Sequence, residues 1–274
     1  MNNFAHRIRE TLAFYRRAQT KYQLHSPFIF GLADAVLEDR RLFYAYRDVE
    51  AVREAMRNSQ TLLSVTDYGT GAGSQPGMEQ TRALGQLVRR AASAPEQGRR
   101  LFRLVNWARP ATMLELGTGA GVGAMYMAAA AREATFVSLE GSAALAGVAR
   151  TNLELLGLKK AQIISGAFEK TLPEALSLLS SVDFIYIDGN HRSTPTLQYF
   201  EQCLPFAHDR TVFVFDDIHW SPDMSEAWRQ LQAHPRTTLT VDLYDVALVF
   251  INPDFKEKQH LSVVPSRWKP WKVF

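Results

Sequence analysis

The chain has 274 residues, 46% hydrophobic and 22% charged, with a formal net charge of +3 and a single cysteine, Cys203. That length holds one large domain with an elaboration, the composition is that of a soluble globular protein, and one cysteine excludes an internal disulfide framework. The N-terminal stretch MNNFAHRIRETLAFYRR lacks the apolar core of a secretory signal, and the uncharged run 116–131 is shorter than the roughly 20 residues of a membrane span. A cytoplasmic protein with no membrane partner is expected.

In chain order, the first hundred residues read as helical. Phe4 to Lys21 has a helical pattern, Ser26-Pro27 looks like the cap of a helix running to about Leu37, and 48–60 and 78–108 are again mostly helical, with a break near Pro95. From residue 112 the pattern changes to short β-branched or aromatic runs alternating with helices. The strands are expected at Thr112–Leu116, Thr135–Leu139, Ala161–Ile164, Val182–Ile187 and Arg210–Phe215, and the helices at 121–132, 142–156, 168–180, 194–206 and 222–233. The segment TTLTVDLYDVALVFI then reads as two strands around Tyr244-Asp245, a hairpin that ends the sheet with an antiparallel strand. The fold class is α/β: a Rossmann-like doubly wound sheet of seven strands, mostly parallel with an antiparallel last strand, plus a helical N-terminal extension. The expected domains are a helical cap over 1–94, a nucleotide-binding domain over 95–254 and a basic aromatic tail over 255–274.

The pentapeptide GTGAG occurs twice, at 69–73 and at 117–121. A working nucleotide loop joins a strand to a helix, and an acid about 20 residues on, at the tip of the next strand, holds the ribose hydroxyls. The second copy meets each condition, with strand ATMLEL before it, helix VGAMYMAAAAR after it and Glu140 at the end of TFVSLE. The first copy is followed by Pro76-Gly77 and a long helical stretch that places Arg89 and Arg90 where the acid would stand. It reads as a turn, with a substrate-closing loop as the alternative. GAGVGA within the second copy also satisfies the degenerate dinucleotide pattern G-x-G-x-x-A, so the loop by itself admits NAD as well as S-adenosylmethionine.

The closing hairpin and the blocks PEQGRRLFRLVNWARPATMLELGTGAG, TFVSLEGS, GAFEKTLPEAL, VDFIYIDGNH and TVFVFDDIHWS together resemble class I S-adenosylmethionine-dependent methyltransferases. Within that class they are similar to the small-molecule O-methyltransferases related to catechol and caffeoyl-CoA O-methyltransferases, over about residues 95–252. The resemblance implies that Glu115, Gly117, Thr118, Gly119 and Gly121 line the methionine part of the cofactor and that Glu140 takes the ribose. It also leads one to expect an aspartate beside the adenine where this chain has Ala167, so adenine contacts would fall to backbone near Ala167 and Phe168.

Metal-dependent members of that group carry an aspartate at the fourth strand tip, a lysine base three residues later and an Asp-Asn pair after the fifth strand. Here those positions read Asp188, His191, Asp216 and Asp217. The resemblance thus implies a Mg2+ or Ca2+ site at Asp188, Asp216 and Asp217, and His191 with Asp188 in the catalytic role; both the histidine and the second aspartate depart from the pattern. Other duties would also explain these residues: Asp188 hydrogen-bonding the cofactor, Asp216 or Asp217 facing the helix that begins near Pro222, and His219 as a second candidate base.

S-adenosylmethionine-dependent O-methylation of a small-molecule acceptor is the expected function. The alternatives are an NAD-dependent oxidoreductase, an RNA or protein methyltransferase, and a cofactor-binding module without turnover. Arg89, Arg90, Arg99, Arg100, Arg103 and Arg109, with the Lys/Trp-rich tail, would suit nucleic acid, but a solvated helix face and a packed tail are the preferred reading. The aromatic residues Phe28, Phe30, Phe43, Tyr44 and Tyr46 read mainly as core, and the long cap and tail would suit a homodimer.

Overall fold

The computed structural model describes residues 3–67, 78–92 and 94–272. The first GTGAG, at 69–73, lies outside them. The chain opens with helices α1 (Asn3–Arg17) and α2 (Pro27–Ala33), continued by a wide turn at Asp34–Glu38, then α3 (Tyr44–Asn58). Strands β1 (Leu62–Asp67) and β2 (Met78–Ala83) and helices α4 (Leu84–Ala91) and α5 (Pro95–Ala108) follow. The alternating part comprises β3 (Thr112–Leu116), α6 (Val122–Ala130), β4 (Thr135–Glu140), α7 (Ala143–Leu155), β5 (Ala161–Ser165), α8 (Phe168–Leu179), β6 (Phe184–Ile187), α9 (Ser193–Cys203), β7 (Val212–Asp216) and α10 (Pro222–Ala233). It ends in β8 (Leu239–Asp242), β9 (Val246–Phe250) and β10 (Gln259–Ser262).

Local chemistry sets the boundaries. Ser221 caps α10 by accepting a hydrogen bond from the Met224 amide at 3.1 Å, with Pro222 in the first turn. Pro95 opens α5, which closes at Arg109 in a left-handed conformation, φ +50°. Strands β6 and β7 are buried at every residue, as expected of parallel strands covered on both faces.

The sheet has eight strands in the order β10-β8-β9-β7-β6-β3-β4-β5, parallel except for β9, which runs antiparallel to both β7 and β8. The hairpin expected from the sequence is present, but it does not end the sheet. Residues 259–262, assigned from sequence to the tail, pair parallel with β8 as an eighth strand. No periodicity marks QHLS as a strand; its extended state comes from the ladder that β8 offers.

The segment 62–83 also differs from the expectation. It is a two-stranded antiparallel sheet with Leu62 opposite Ala83 and Thr66 opposite Glu79, where the sequence reads as helix from residue 78. MEQTRA has little strand character of its own, and pairing with the β-branched Val65-Thr66 side decides its conformation.

Two compact units emerge, and they cut across the boundaries expected at 94/95 and 254/255. One comprises residues 1–40, 183–187 and 191–274; the other 41–182 and 188–190. In the first, Phe14, Ala18 and Val264 form a buried cluster with Tyr244 against it. The tail is integral there: the Gln19 amide donates to the Ser262 carbonyl at 2.8 Å, and the buried Lys269 ammonium donates to the Ala18 carbonyl at 2.7 Å. Phe28 packs edge-on against Phe250 in the same unit, whereas Phe43 and Tyr46 pack on Phe102 in the second. Tyr44 is 85% exposed and belongs to no core. Among the described residues no helix is long and apolar enough to cross a membrane.

Candidate active site

The second unit contains the glycine loop and every residue expected to touch the cofactor. Leaving β3, the chain turns through Gly117 (φ +107°), Gly119 (φ +55°) and Gly121 (φ +89°), a region that side-chain-bearing residues rarely occupy. At Gly117 the constraint is also steric, since a Cβ would stand 2.3 Å from the Asp188 carbonyl oxygen. The Asp188 amide in turn donates to the Leu116 carbonyl at 2.9 Å, so β3's exit and the 188–190 segment are locked backbone to backbone. At Gly119 a Cβ would meet nothing within 4 Å, which leaves the middle of the loop open. Gly121 begins α6 with no side-chain cap, so amide N–H groups and the positive end of that helix remain for an anionic or polar ligand group.

Glu140, at the tip of β4, reaches back across this loop. Its Oε2 accepts from the Gly119 amide at 2.7 Å and its Oε1 from the Ser142 amide at 2.8 Å, with the residue 9% exposed. The expected ribose acid is therefore already held at the loop. On the far side of the strand ends, Ala167 caps α8 without a side-chain hydrogen bond. The Phe168 ring lies so close to Gly189 that a Cβ there would be 2.4 Å from it. A half-buried aromatic edge and backbone polar groups thus stand where the resemblance implies an acid.

Glu115 behaves differently from Glu140. It is 1% exposed and accepts from the Ser138 hydroxyl, its partner in register on β4, while Ser138 also hydrogen-bonds the Thr118 hydroxyl at 2.5 Å. Burial pushes the Glu115 carboxyl up to about 8, opposed by the Ser138 hydrogen bond and reinforced by the nearby Glu140 charge. Its surroundings thus favour the protonated carboxyl. Ser138, together with Asn152, whose amide donates to the Ala120 carbonyl at 3.0 Å, supports the loop and was not singled out from sequence. The signal was there in part: Glu115 and Ser138 are polar residues at inward positions of apolar strands.

The other expected residues belong to the first unit. His191 follows the tip of β6 and Asp217 follows β7, its parallel neighbour; His191 Nδ1 lies 3.8 Å from Asp217 Oδ2. Both have left-handed backbones, φ +39° and +53°, and Asn190 precedes them at φ +70°. Such conformations in residues other than glycine are costly and concentrate at functional sites. Burial raises the Asp217 carboxyl, while the charges of His191 and Arg7 pull it back and Asp245 adds to the rise. Asp216 points elsewhere, buried and accepting a hydrogen bond from the Tyr186 hydroxyl at 2.9 Å. His219 is 6% exposed, bound through Nε2 to Asp242 at 3.0 Å and stacked on Tyr244.

The metal reading does not gain a donor set from this arrangement. Among the described residues no three His, Cys, Asp or Glu side chains group as a cation site requires, and the Asp216 carboxylate is engaged by Tyr186.

Residues 114–218 match a family described as a methyltransferase domain. A catechol O-methyltransferase from Niastella koreensis is 30% identical over 128 residues, 46% of this chain and 57% of that enzyme, so the match spans little more than half of the relative's length. Among solved structures, an O-methyltransferase from Bacillus cereus in complex with SAH aligns with a TM-score of 0.56 at 20% identity, covering 77% of this chain and 92% of that one. The O-methyltransferase TomG from Streptomyces achromogenes, in complex with SAM, aligns with a TM-score of 0.54 at 16% identity, covering 77% and 91%. At those identities the likeness establishes the shared fold, and the domain match falls on the strand, glycine loop and acid described above. Residues 114–218 thus resemble a methyltransferase domain, and the chain shares its fold with these O-methyltransferases.

Proposed function

We propose that this protein is an S-adenosylmethionine-dependent O-methyltransferase acting on a hydroxyl of a small molecule. The observation that carries the reading is the loop 117–121, with the Glu140 carboxylate at the Gly119 amide and the uncapped start of α6 beside it. When bound, S-adenosylmethionine supplies a methyl group made electrophilic by its sulfonium. Glu140 would accept from the ribose hydroxyls, the loop amides and Asp188 would orient the methionine end, and backbone near Ala167 and Phe168 would receive the adenine.

Transfer is a direct displacement. The acceptor oxygen forms its bond to the methyl carbon as the carbon–sulfur bond breaks, the electron pair stays on sulfur, and the hydroxyl proton must leave. His191 is the residue proposed to take it, because imidazole is suited to proton transfer near neutral pH. Asp217, 3.8 Å away, would steady the imidazolium that forms. Chain residues otherwise contribute alignment and exclusion of water. No step is routed through a divalent cation.

Titrating S-adenosylhomocysteine into the wild type and into Glu140→Ala, each with and without magnesium, tests the proposal. Micromolar binding that is lost in the variant supports it. A gain in affinity with magnesium would return Asp188, Asp216 and Asp217 to the mechanism as ligands. A folded protein that ignores S-adenosylhomocysteine in both buffers would sink the reading, and NAD would be the next ligand to test.

A further inference from the structure

Helix α1 packs on the first unit by one edge and turns a row of large apolar side chains to solvent. We infer that this face, together with the turn at Ser266–Trp268, docks on an anionic lipid surface. The contact is peripheral and needs no spanning helix. It does not rest on the methyltransferase reading, since none of the residues that form it takes part in the proposed reaction.

Apolar exposure is the first reason. Most of α1 is exposed, and only His6 and Phe14 are buried. Phe4, Ile8 and Leu12, 69%, 47% and 61% exposed, recur every fourth residue and so form one line along the helix. Scattered single apolar side chains on a surface are ordinary, whereas three large ones in a line mark an interaction site. Toward the C-terminal end of that line the Tyr15 hydroxyl donates to the Trp268 carbonyl at 2.7 Å, which brings the exposed Trp268 and its turn beside the helix. Tryptophan is enriched where lipid tails give way to headgroups.

Charge is the second. Arg16, one turn on from Leu12, and Arg267, next to Trp268, are exposed, and among the described residues neither side chain makes a hydrogen bond or an ion pair. On the other flank of the row Arg7 stacks over Trp220, its Cζ 4.8 Å from the ring centroid. The single carboxylate of α1, Glu10, is taken by Arg9 at 3.2 Å. An apolar row bordered by arginines is the pattern of a helix lying in the interface of an anionic bilayer, whose negative surface potential attracts each cation.

Shape and charge together favour lipid over a protein occupant. A helix with most of its circumference in solvent is convex and offers no groove to a peptide. A second copy packed on this row by two-fold symmetry would bring the same arginines against one another, with no free carboxylate on the helix to offset them.

Flotation of the full chain with vesicles is the test, comparing phosphatidylcholine alone with a mixture holding about one-third phosphatidylglycerol. Binding to the mixed vesicles is expected, about tenfold or more tighter than to phosphatidylcholine alone and falling as salt is raised. Phe4→Ser/Leu12→Ser should weaken it about tenfold or more, and Arg16→Gln/Arg267→Gln should weaken it severalfold and flatten the salt dependence, each with an unchanged melting temperature because the replaced side chains are exposed. Leu155→Ser, 71% exposed in the other unit, should bind as the wild type does. Absence of flotation with the mixed vesicles, wild-type binding by Phe4→Ser/Leu12→Ser, or equal weakening by Leu155→Ser overturns the proposal. A dimer in light scattering that Phe4→Ser/Leu12→Ser turns into a monomer also overturns it, and assigns the row to a second copy of the chain.

Discussion

The glycine loop of the second unit and the strand tips of the first show two ways of building a site. Around 117–121 the groups on offer are backbone amides, aimed by three positive φ angles and one carboxylate. At the tips of β6 and β7 the groups are side chains, and their directions depend on neighbours. Asp216 and Asp217 are adjacent in sequence, yet one is tied to the Tyr186 hydroxyl and the other lies near His191, because β7 ends at Asp216 and the backbone turns left-handed at Asp217. A backbone site is written in glycine spacing, whereas a side-chain site is only as legible as its surroundings.

Substitutions can break or sharpen that contrast, and the largest effect is expected at the loop. Gly117→Ala puts a Cβ 2.3 Å from the Asp188 carbonyl at φ +107°. Calorimetry on the folded variant should detect no S-adenosylhomocysteine binding; wild-type affinity would show that the loop tolerates a side chain. His191→Ala should lower kcat about a hundredfold or more while leaving S-adenosylhomocysteine binding unchanged, as expected for loss of a general base alone. Equal losses in binding and turnover would remove the distinction between the two regions.

Glu140→Ala should weaken S-adenosylhomocysteine about tenfold or more if, as proposed, its carboxylate accepts from the ribose, with thermal stability read in parallel because the carboxylate also holds the Gly119 and Ser142 amides. The last effect, on stability rather than on binding, is expected at Glu115. Its folded-state carboxyl titrates at about 8 against an ordinary 4.5, so the fold favours the protonated form. Stability from this group is full below 4.5 and is lost as pH rises through about 8. Between pH 6 and 8 the wild type should lose roughly 2 kcal/mol more than Glu115→Gln in denaturant unfolding. Parallel curves for the two proteins would contradict the assignment.

Much of the α/β part was legible because strand, loop and helix each leave a periodic or glycine-based mark. All five expected strands from 112 to 215 and the β8–β9 hairpin are present, with ends moved by a residue or two. The β1–β2 pair and β10 were not legible. MEQTRA and QHLS carry no alternation, and a strand without its own pattern takes its state from the strand it pairs with. The nearness of Glu140 to the loop 117–121 could be read from spacing alone, but the contacts of Ser138 and Asn152 could not. Their role depends on cross-strand register and on which carbonyl lies within reach.

By itself the sequence determined the order of strands and helices over most of the α/β core and the glycine turns that follow β3, because these depend on interactions between near neighbours or on backbone angles that only glycine adopts freely. Tertiary structure alone decided that residues 259–262 extend the sheet, that residues 1–40 group with the C-terminal half, that Glu115 is a buried strut, and that Asp216 turns to Tyr186. Those outcomes rest on long-range pairing and burial, and the free energy of both is set by partners tens to hundreds of residues away.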